Sequence, residues 1–246
     1  MSNWKKRLAA WALAFTALAL AAVPQRPERR GGQEAAGEAK IPAGPYVALT
    51  FDDGPKASTT TALLDGLARR GVRATFFVIG ENVEGNELLL QRMEGEGHQV
   101  GLHTYHHKSL AQLGASDFYA EVDKLRETLT ALLGRESFML RPPYGMMNAA
   151  TKARAAAPII LWSVDPEDWS DHDTARQVSV IVDKAQDGDI ILLHDIYPAS
   201  VDTALQVVDA LMSKGFHFVT VEELFAIRGM TPENGKVYRK LPPSPG

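Results

Sequence analysis

The sequence predicts an α/β fold whose parallel strands wrap into a barrel or a partly open barrel, with helices outside. Three observations lead there. Short apolar runs alternate with stretches of helical periodicity along most of the chain. The alternation repeats about seven times, and a regular strand–helix alternation gives a parallel sheet covered by helices. Five polar clusters directly follow apolar runs, as they do where the C-terminal ends of barrel strands share one face. There is no internal repeat, GxGxxG or P-loop, so the nucleotide-binding forms of α/β architecture gain no support.

The elements follow in order. Tyr46–Phe51 is a strand that stops where Asp52-Asp53-Gly54-Pro55 forces a turn. A helical pattern near 59–70 leads to a second strand, Ala74–Ile79. Another near 86–96 leads to a third, Gln99–Leu102. The helix over 116–133 starts at Ser116-Asp117 and stops at Gly134. Phe138–Arg141 is the fourth strand. The Ala-rich stretch 147–156 gives a short helix before the fifth strand, Ile159–Val164. A helix near 174–186 precedes Ile190–Leu193. Thr203–Leu211 carries apolar residues at helical spacing inside a helix over 201–214. His217–Thr220 is the seventh strand, and a last helix covers 221–227.

The ends differ from this pattern. Lys5, Lys6 and Arg7 precede an uncharged Ala- and Leu-rich run from Leu8 to Val23, with Ala-x-Ala options such as Ala17-Leu18-Ala19. Residues 1–23 therefore read as a signal peptide or a membrane anchor. The reading makes the protein exported: secreted, in the cell wall, or held outside the membrane by that segment alone. Residues 24–45 have the composition of a flexible linker. One domain is expected over 46–230, with 231–246 as a C-terminal tail. Residues 1–45 hold seven Lys/Arg against three Asp/Glu, and the rest holds nineteen against twenty-seven. An acidic globular part argues against nucleic acid as a partner. Cysteine is absent, which removes disulfides and thiolate chemistry.

The polar clusters set the chemistry. A regular strand would send Asp52 and Asp53 to opposite sides. A strand that breaks into a turn can aim both at one place, one to bind a metal and one to move protons. The plainer alternative is a solvated turn. In His103-Thr104-Tyr105-His106-His107, the i, i+4 pair His103/His107 can face one way on a helical turn while His106 points elsewhere. With one Asp they form a His-His-Asp set that leaves positions open, the catalytic kind of zinc site; the alternative is a His-rich surface loop. His194 ends a buried-type strand. It is either a packed core histidine or an imidazolium held by a carboxylate from the Asp165/Asp168 cluster. Arg141 orients a carboxylate or makes a surface ion pair. Trp169 is a wall for a sugar face or a filler of the barrel rim.

Together these residues resemble the polysaccharide deacetylases that share the NodB homology domain, carbohydrate esterase family 4. Five motifs carry the resemblance, in order, between about Val47 and Leu224. They are Thr50-Phe51-Asp52-Asp53-Gly54-Pro55, His103-Thr104-Tyr105-His106-His107, Arg141-Pro142-Pro143-Tyr144, Asp165-Pro166-Glu167-Asp168-Trp169 and Leu192-Leu193-His194-Asp195. The resemblance implies a distorted (β/α) barrel of about seven parallel strands. It implies that Asp52 is the general base and that Asp53, His103 and His107 bind a divalent metal, zinc with cobalt as an option. Arg141 would hold Asp52, and the Tyr144 backbone N–H would stabilise an oxyanion. Asp168 would support His194 as general acid, while Trp169 and Leu192 or Leu193 would shape the acetyl and sugar pocket.

The implied reaction is hydrolysis of an N-acetyl amide on an acetylated glycan. The stretch Asp195-Ile196-Tyr197-Pro198 through Val201-Asp202 is similar to exported bacterial peptidoglycan N-acetylglucosamine deacetylases. Chitin oligomers and O-acetylated xylan are the rival substrates. A metal phosphoesterase is disfavoured because no Lys/Arg cluster stands ready for phosphate. A non-catalytic glycan-binding module would be favoured by a lost motif residue, and none is lost.

Overall fold

The structure, a computed structural model, describes residues 42–243. The expected signal or anchor segment 1–23 and nearly all of the 24–45 linker lie outside the described residues. Among the described residues, no helix is long and apolar enough to cross a membrane.

Five parallel strands form the backbone of the molecule. They are β1 (Tyr46–Asp52), β2 (Thr75–Val78), β3 (Gln99–Leu102), β5 (Ile190–His194) and β6 (His217–Val219). Their order is β3-β2-β1-β5, with β6 also on β1. One edge of β1 pairs with β2 along Thr50–Asp52 and with β6 along Tyr46–Ala48; the other edge pairs with β5 along Ala48–Asp52. Every residue of β1 is buried, as expected for a central parallel strand covered on both faces. The helices between strands are α1 (Ala57–Ala68), α2 (Glu87–Gly95), α3 (Ala115–Phe118), α4 (Lys124–Leu133), α5 (Ala149–Arg154), α6 (Thr174–Lys184), α7 (Pro198–Ser213) and α8 (Val221–Ile227). A π-helical turn, Tyr119–Asp123, joins α3 to α4.

The other side of the ring is looser. Phe138–Arg141, expected as a strand, makes only single parallel bridges, from Leu140 to Leu102 and to Ile159. Pro142 and Pro143 follow at once and cannot donate to a ladder. The fifth expected strand shortens to β4 (Ile159–Ile160), and Val164 bridges back to Ile191 of β5. The barrel is thus distorted: ladders hold one half of the ring and single bridges complete it.

The expected tail is corrected by the structure. Val237–Tyr238 forms β7, parallel to β4, in register Ile159↔Val237 and Ile160↔Tyr238. Tyr238 and Leu241 are buried. A two-residue strand in a stretch of Pro, Gly and charge carries no periodic signal, so the sequence alone places the domain boundary at 230, short of β7. Residues 244–246 lie outside the described residues.

Strand alternation sorts the side chains. Val47, Leu49, Phe51, Phe76, Val78, Ile191 and Leu193 join the large core between strands and helices. Ala48, Phe77, Ile160 and Ile190 point the other way and form a second core with Phe225 of α8, Tyr238 and Leu241. This apolar plug fills one end of the barrel. Above it on the same faces come Thr50, Asp52, Leu192 and His194, so period two along β1 and β5 carries the interior from apolar plug to reactive rim.

Candidate active site

Asp52 is the last residue of β1, and its register partner on β5 is His194. Two titratable groups therefore stand side by side at the C-terminal rim. Asp52 is buried, and Arg141 reaches it from the bridged half of the ring, with Nη1 donating to Oδ1 at 2.8 Å. Arg141 is itself wholly buried. It also donates to Thr50 Oγ1 at 2.8 Å and to the carbonyls of Ile160 and Leu161 at 3.2 Å. Its guanidinium lies 4.2 Å from the centre of the Phe77 ring. Each of its three nitrogens thus has at least one acceptor, as a buried arginine requires.

Asp53 shows how two neighbouring acids reach one site. Its φ is +74°, a left-handed conformation that breaks the strand alternation right after Asp52. The Asn82 amide holds this turn by donating to the Asp53 carbonyl at 2.8 Å. Gly54 follows, packed so closely on the buried Asp195 that any Cβ would overlap its carboxylate. The Thr60 hydroxyl donates to Asp195, and burial pushes the Asp195 carboxyl up to about 7.

The histidine pair meets by a different route from the one expected. His103 follows β3 directly, and residues 103–109 form a loop rather than a helical turn. Thr104 and His107 both have left-handed φ, +69° and +56°. These two kinks fold the loop back so that His107 faces His103. Nε2 of His103 and of His107 lie 3.4 and 3.3 Å from the same oxygen, Asp53 Oδ1. His103 Nδ1 sits 2.8 Å from the Arg141 carbonyl, which makes that nitrogen the proton donor and turns the Nε2 lone pair into the cluster.

This donor set fits a metal ion. Asp53 Oδ1 is buried and without a hydrogen-bond partner, and the three ligand atoms lie within 4.8 Å of one another. Two imidazoles and a carboxylate with room beside them suit a divalent transition metal. Burial raises the Asp53 pKa, but the close His103 ring and the charges of His103, His194 and His107 outweigh this and hold it below the usual range. Burial likewise opposes a charge on His103, yet Asp52 and Asp53 together raise its pKa. At His107 burial wins and the pKa falls.

Opposite stands a second pair. His194 Nδ1 is 2.8 Å from Asp168 Oδ1, and the His194 backbone N–H donates to Asp168 Oδ2 at 2.8 Å. Ser200 at the start of α7 donates to the same oxygen at 2.5 Å. Asp168, not Asp165, is therefore the carboxylate that holds His194. Burial alone would lower the His194 pKa; the hydrogen bond and charge of Asp168, helped by Asp52 and Asp53, raise it to about 9. Asp165 instead accepts from the Glu167 backbone N–H, and burial raises its pKa.

These groups line one cavity of about 420 Å³ with Tyr144, Trp162, Asp165, Trp169, Leu192 and Tyr197. Tyr144 has a left-handed φ of +59° and is largely exposed; its hydroxyl lies 3.3 Å from His107 Nδ1. Trp169 is a half-exposed wall. Of the two leucines, Leu192 lines the cavity, while Leu193 belongs to the outer core. Leu193 is thus removed from the pocket by strand alternation.

Sequence reasoning missed three contributors. Trp162 lies inside the expected strand Ile159–Val164 and stands past a strand end only because β4 stops at Ile160; Tyr197 follows β5 closely, a placement that signals a rim residue. Glu121 gave no signal. It lies in the π-helical turn, fully buried, and its carboxylate takes the His106 backbone N–H and ring Nδ1, both at 2.9 Å, and Lys108 Nζ at 3.2 Å. It ties down the loop that carries His103 and His107.

Known proteins match this arrangement. The family model described as polysaccharide deacetylase matches residues 39–158. The peptidoglycan-N-acetylglucosamine deacetylase PgdA of Listeria monocytogenes is 40% identical over 195 residues, covering 78% of this chain and 41% of the relative. The chain thus spans about two fifths of that relative's length. A T48 deacetylase solved with substrate superposes with a TM-score of 0.75 at 41% identity, over 79% of this chain and 96% of that one. A family 4 acetyl xylan esterase from Clostridium thermocellum, solved with a cobalt ion, gives a TM-score of 0.76 at 27% identity, over 80% and 99%. Fold, motif residues and relatives agree, and the chain belongs to the polysaccharide deacetylases, the NodB-homology enzymes of carbohydrate esterase family 4.

Proposed function

We propose that this carbohydrate deacetylase is an exported, metal-dependent hydrolase that removes N-acetyl groups from N-acetylglucosamine residues of a cell-wall polysaccharide, peptidoglycan. One observation carries the reading: the Asp53/His103/His107 set lies in a single cavity between the Arg141-bound Asp52 and the Asp168-bound His194. The name of the Listeria relative supports the peptidoglycan part. The basic start and apolar run of residues 5–23 support export.

Asp53, His103 and His107 would hold a divalent ion, zinc or cobalt, which when bound would polarise a carbonyl and lower the pKa of nearby water. Asp52 is the general base that takes the water's proton, with Arg141 fixing its carboxylate. The Tyr144 backbone N–H faces the developing oxyanion. His194 holds a proton at neutral pH and delivers it to the departing amide nitrogen, with Asp168 orienting its ring. Leu192, Trp162 and Trp169 exclude water around the acetyl and sugar.

Acetate release tests this directly. The protein should act on peptidoglycan in preference to N-acetylglucosamine oligomers and acetylated xylan. Chelation should abolish release, and zinc or cobalt should restore it. Full activity in metal-stripped protein, or release from xylan alone, would overturn the reading.

A further inference from the structure

A second cavity of about 510 Å³ adjoins the first, lined by Ala111, Pro142, Gly145, Met146, Met147, Lys152, Leu161, Val237 and Arg239. Chain continuity joins the two: Tyr144 and Trp162 line the first, and Gly145 and Leu161 the second. The Trp162 ring stands between them, so close that a Cβ on Gly145 would lie 3.2 Å from it. The floor is apolar and open to solvent, since Met146 is 49% and Val237 36% exposed.

The charge of this groove is unlike that of the domain around it. Its lining includes Lys152 of α5 and Arg239 and no acid, although the chain beyond residue 45 is net acidic. Lys152 and Arg239 are exposed, and neither side chain has a hydrogen-bond or ion-pair partner among the described residues. Arg239 directly follows β7, which runs parallel to β4, and so lies beside Leu161, whose backbone N–H donates to the Tyr238 carbonyl at 2.8 Å.

We infer that this groove is a substrate subsite that takes a carboxylate-bearing sugar next to the one being deacetylated, with Lys152 and Arg239 as its cations. The inference rests on the glycan-deacetylase reading and adds what selects the polymer. An apolar floor with two unpaired cations suits a sugar whose substituent ends in carboxylate. A neutral chitin chain would leave both cations unanswered. Continuity with the catalytic cavity across Trp162 lets one extended chain fill both.

Binding decides it without requiring turnover. Titrate the full chain with a peptidoglycan tetrasaccharide, with the same fragment after its carboxylates are amidated, and with neutral N-acetylglucosamine tetramer. Compare the wild type with Lys152→Ala/Arg239→Ala and with the charge-keeping Lys152→Arg/Arg239→Lys. The alanine pair should weaken the carboxylated fragment about five- to tenfold, the range of two exposed ion pairs. It should leave both neutral ligands unchanged, and the charge-keeping pair should behave as wild type. Equal affinity of wild type and alanine pair for the carboxylated fragment, or a parallel loss on all three ligands, overturns the subsite. Acetate release in parallel keeps the two readings apart. Wild type that binds but releases no acetate from peptidoglycan speaks against the proposed function, while the affinity comparison still judges the groove.

Discussion

The two halves of the barrel are built differently, and the reacting groups are not shared evenly between them. Ladders along β3-β2-β1-β5 carry Asp52 and His194 at strand ends, and Asp53 and His103 one residue beyond. The half joined by single bridges carries Arg141, Tyr144, Trp162 and Trp169. Bases, acids and ligands need placement to a fraction of an ångström, which continuous hydrogen-bonded strands supply. Walls that meet a sugar can sit on looser chain. Arg141 and Asp168 join the halves, because both start on the loose side: Arg141 ends on Asp52 and Thr50, and Asp168 on His194.

The comparison can be broken by mutation, and the largest effect belongs to the ladder half. Asp53→Ala should abolish both metal binding and acetate release, read by metal content after gel filtration. Asp52→Asn should keep the metal and lose roughly 10²-fold or more in turnover, as for a lost general base. If both variants lose the metal equally, the two acids do not divide the work. Arg141→Ala should cost about 3–5 kcal/mol of stability, since Asp52 is left buried and unpaired. Urea unfolding measures it, and a loss under about 1 kcal/mol would mean that water reaches Asp52 unaided.

His194 sharpens the picture through pH. Its folded pKa of about 9 exceeds the free value, so it is protonated at neutral pH and loses its proton as pH rises through about 9. Stability from the Asp168 pair is complete below the free histidine pKa and fades over that same rise. Activity on N-acetyl substrates should fall on the same limb. His194→Ala should erase the limb and harm amide hydrolysis far more than cleavage of an activated aryl acetate, whose leaving group needs no proton. Equal losses with the limb intact would make His194 a packing residue.

The smaller effects fall on residues around the reacting groups. Glu121→Gln should weaken metal affinity several-fold by loosening the His103–His107 loop, with unfolding cost of about 1–3 kcal/mol for the unmet donors. Trp162→Ala should raise KM a few-fold and leave kcat within about twofold, the pattern of lost ground-state binding. A fall in kcat as large as that of Asp52→Asn would erase the distinction between the halves.

Much of this was legible in the sequence because apolar period and polar strand ends point the same way. The strands β1, β2, β3, β5 and β6 and the motif residues at their ends read directly from it. What stayed hidden depends on backbone conformation or distant contacts. The left-handed Asp53 and His107 were invisible, so a helical turn was expected where a kinked loop brings the histidines together. Choosing Leu192 over Leu193 needed the strand's orientation. Glu121 needed a contact 15 residues away with His106. β7 needed a partner strand, since Val237 and Tyr238 alone carry no pattern.

β7 also bears on the order in which the molecule can be made. On one edge β4 meets Leu140, but on the other Ile160 pairs with Tyr238, 78 positions later along the chain. A chain that emerges N-terminus first, from a ribosome or a membrane channel, holds β4 half-paired until Tyr238 is out. Tyr238 and Leu241 belong to the apolar plug, so that plug also stays open until then. Folding of this domain therefore waits for Tyr238 and Leu241 to emerge, and a chain stalled a few residues before Tyr238 would present an uncovered barrel end to its surroundings.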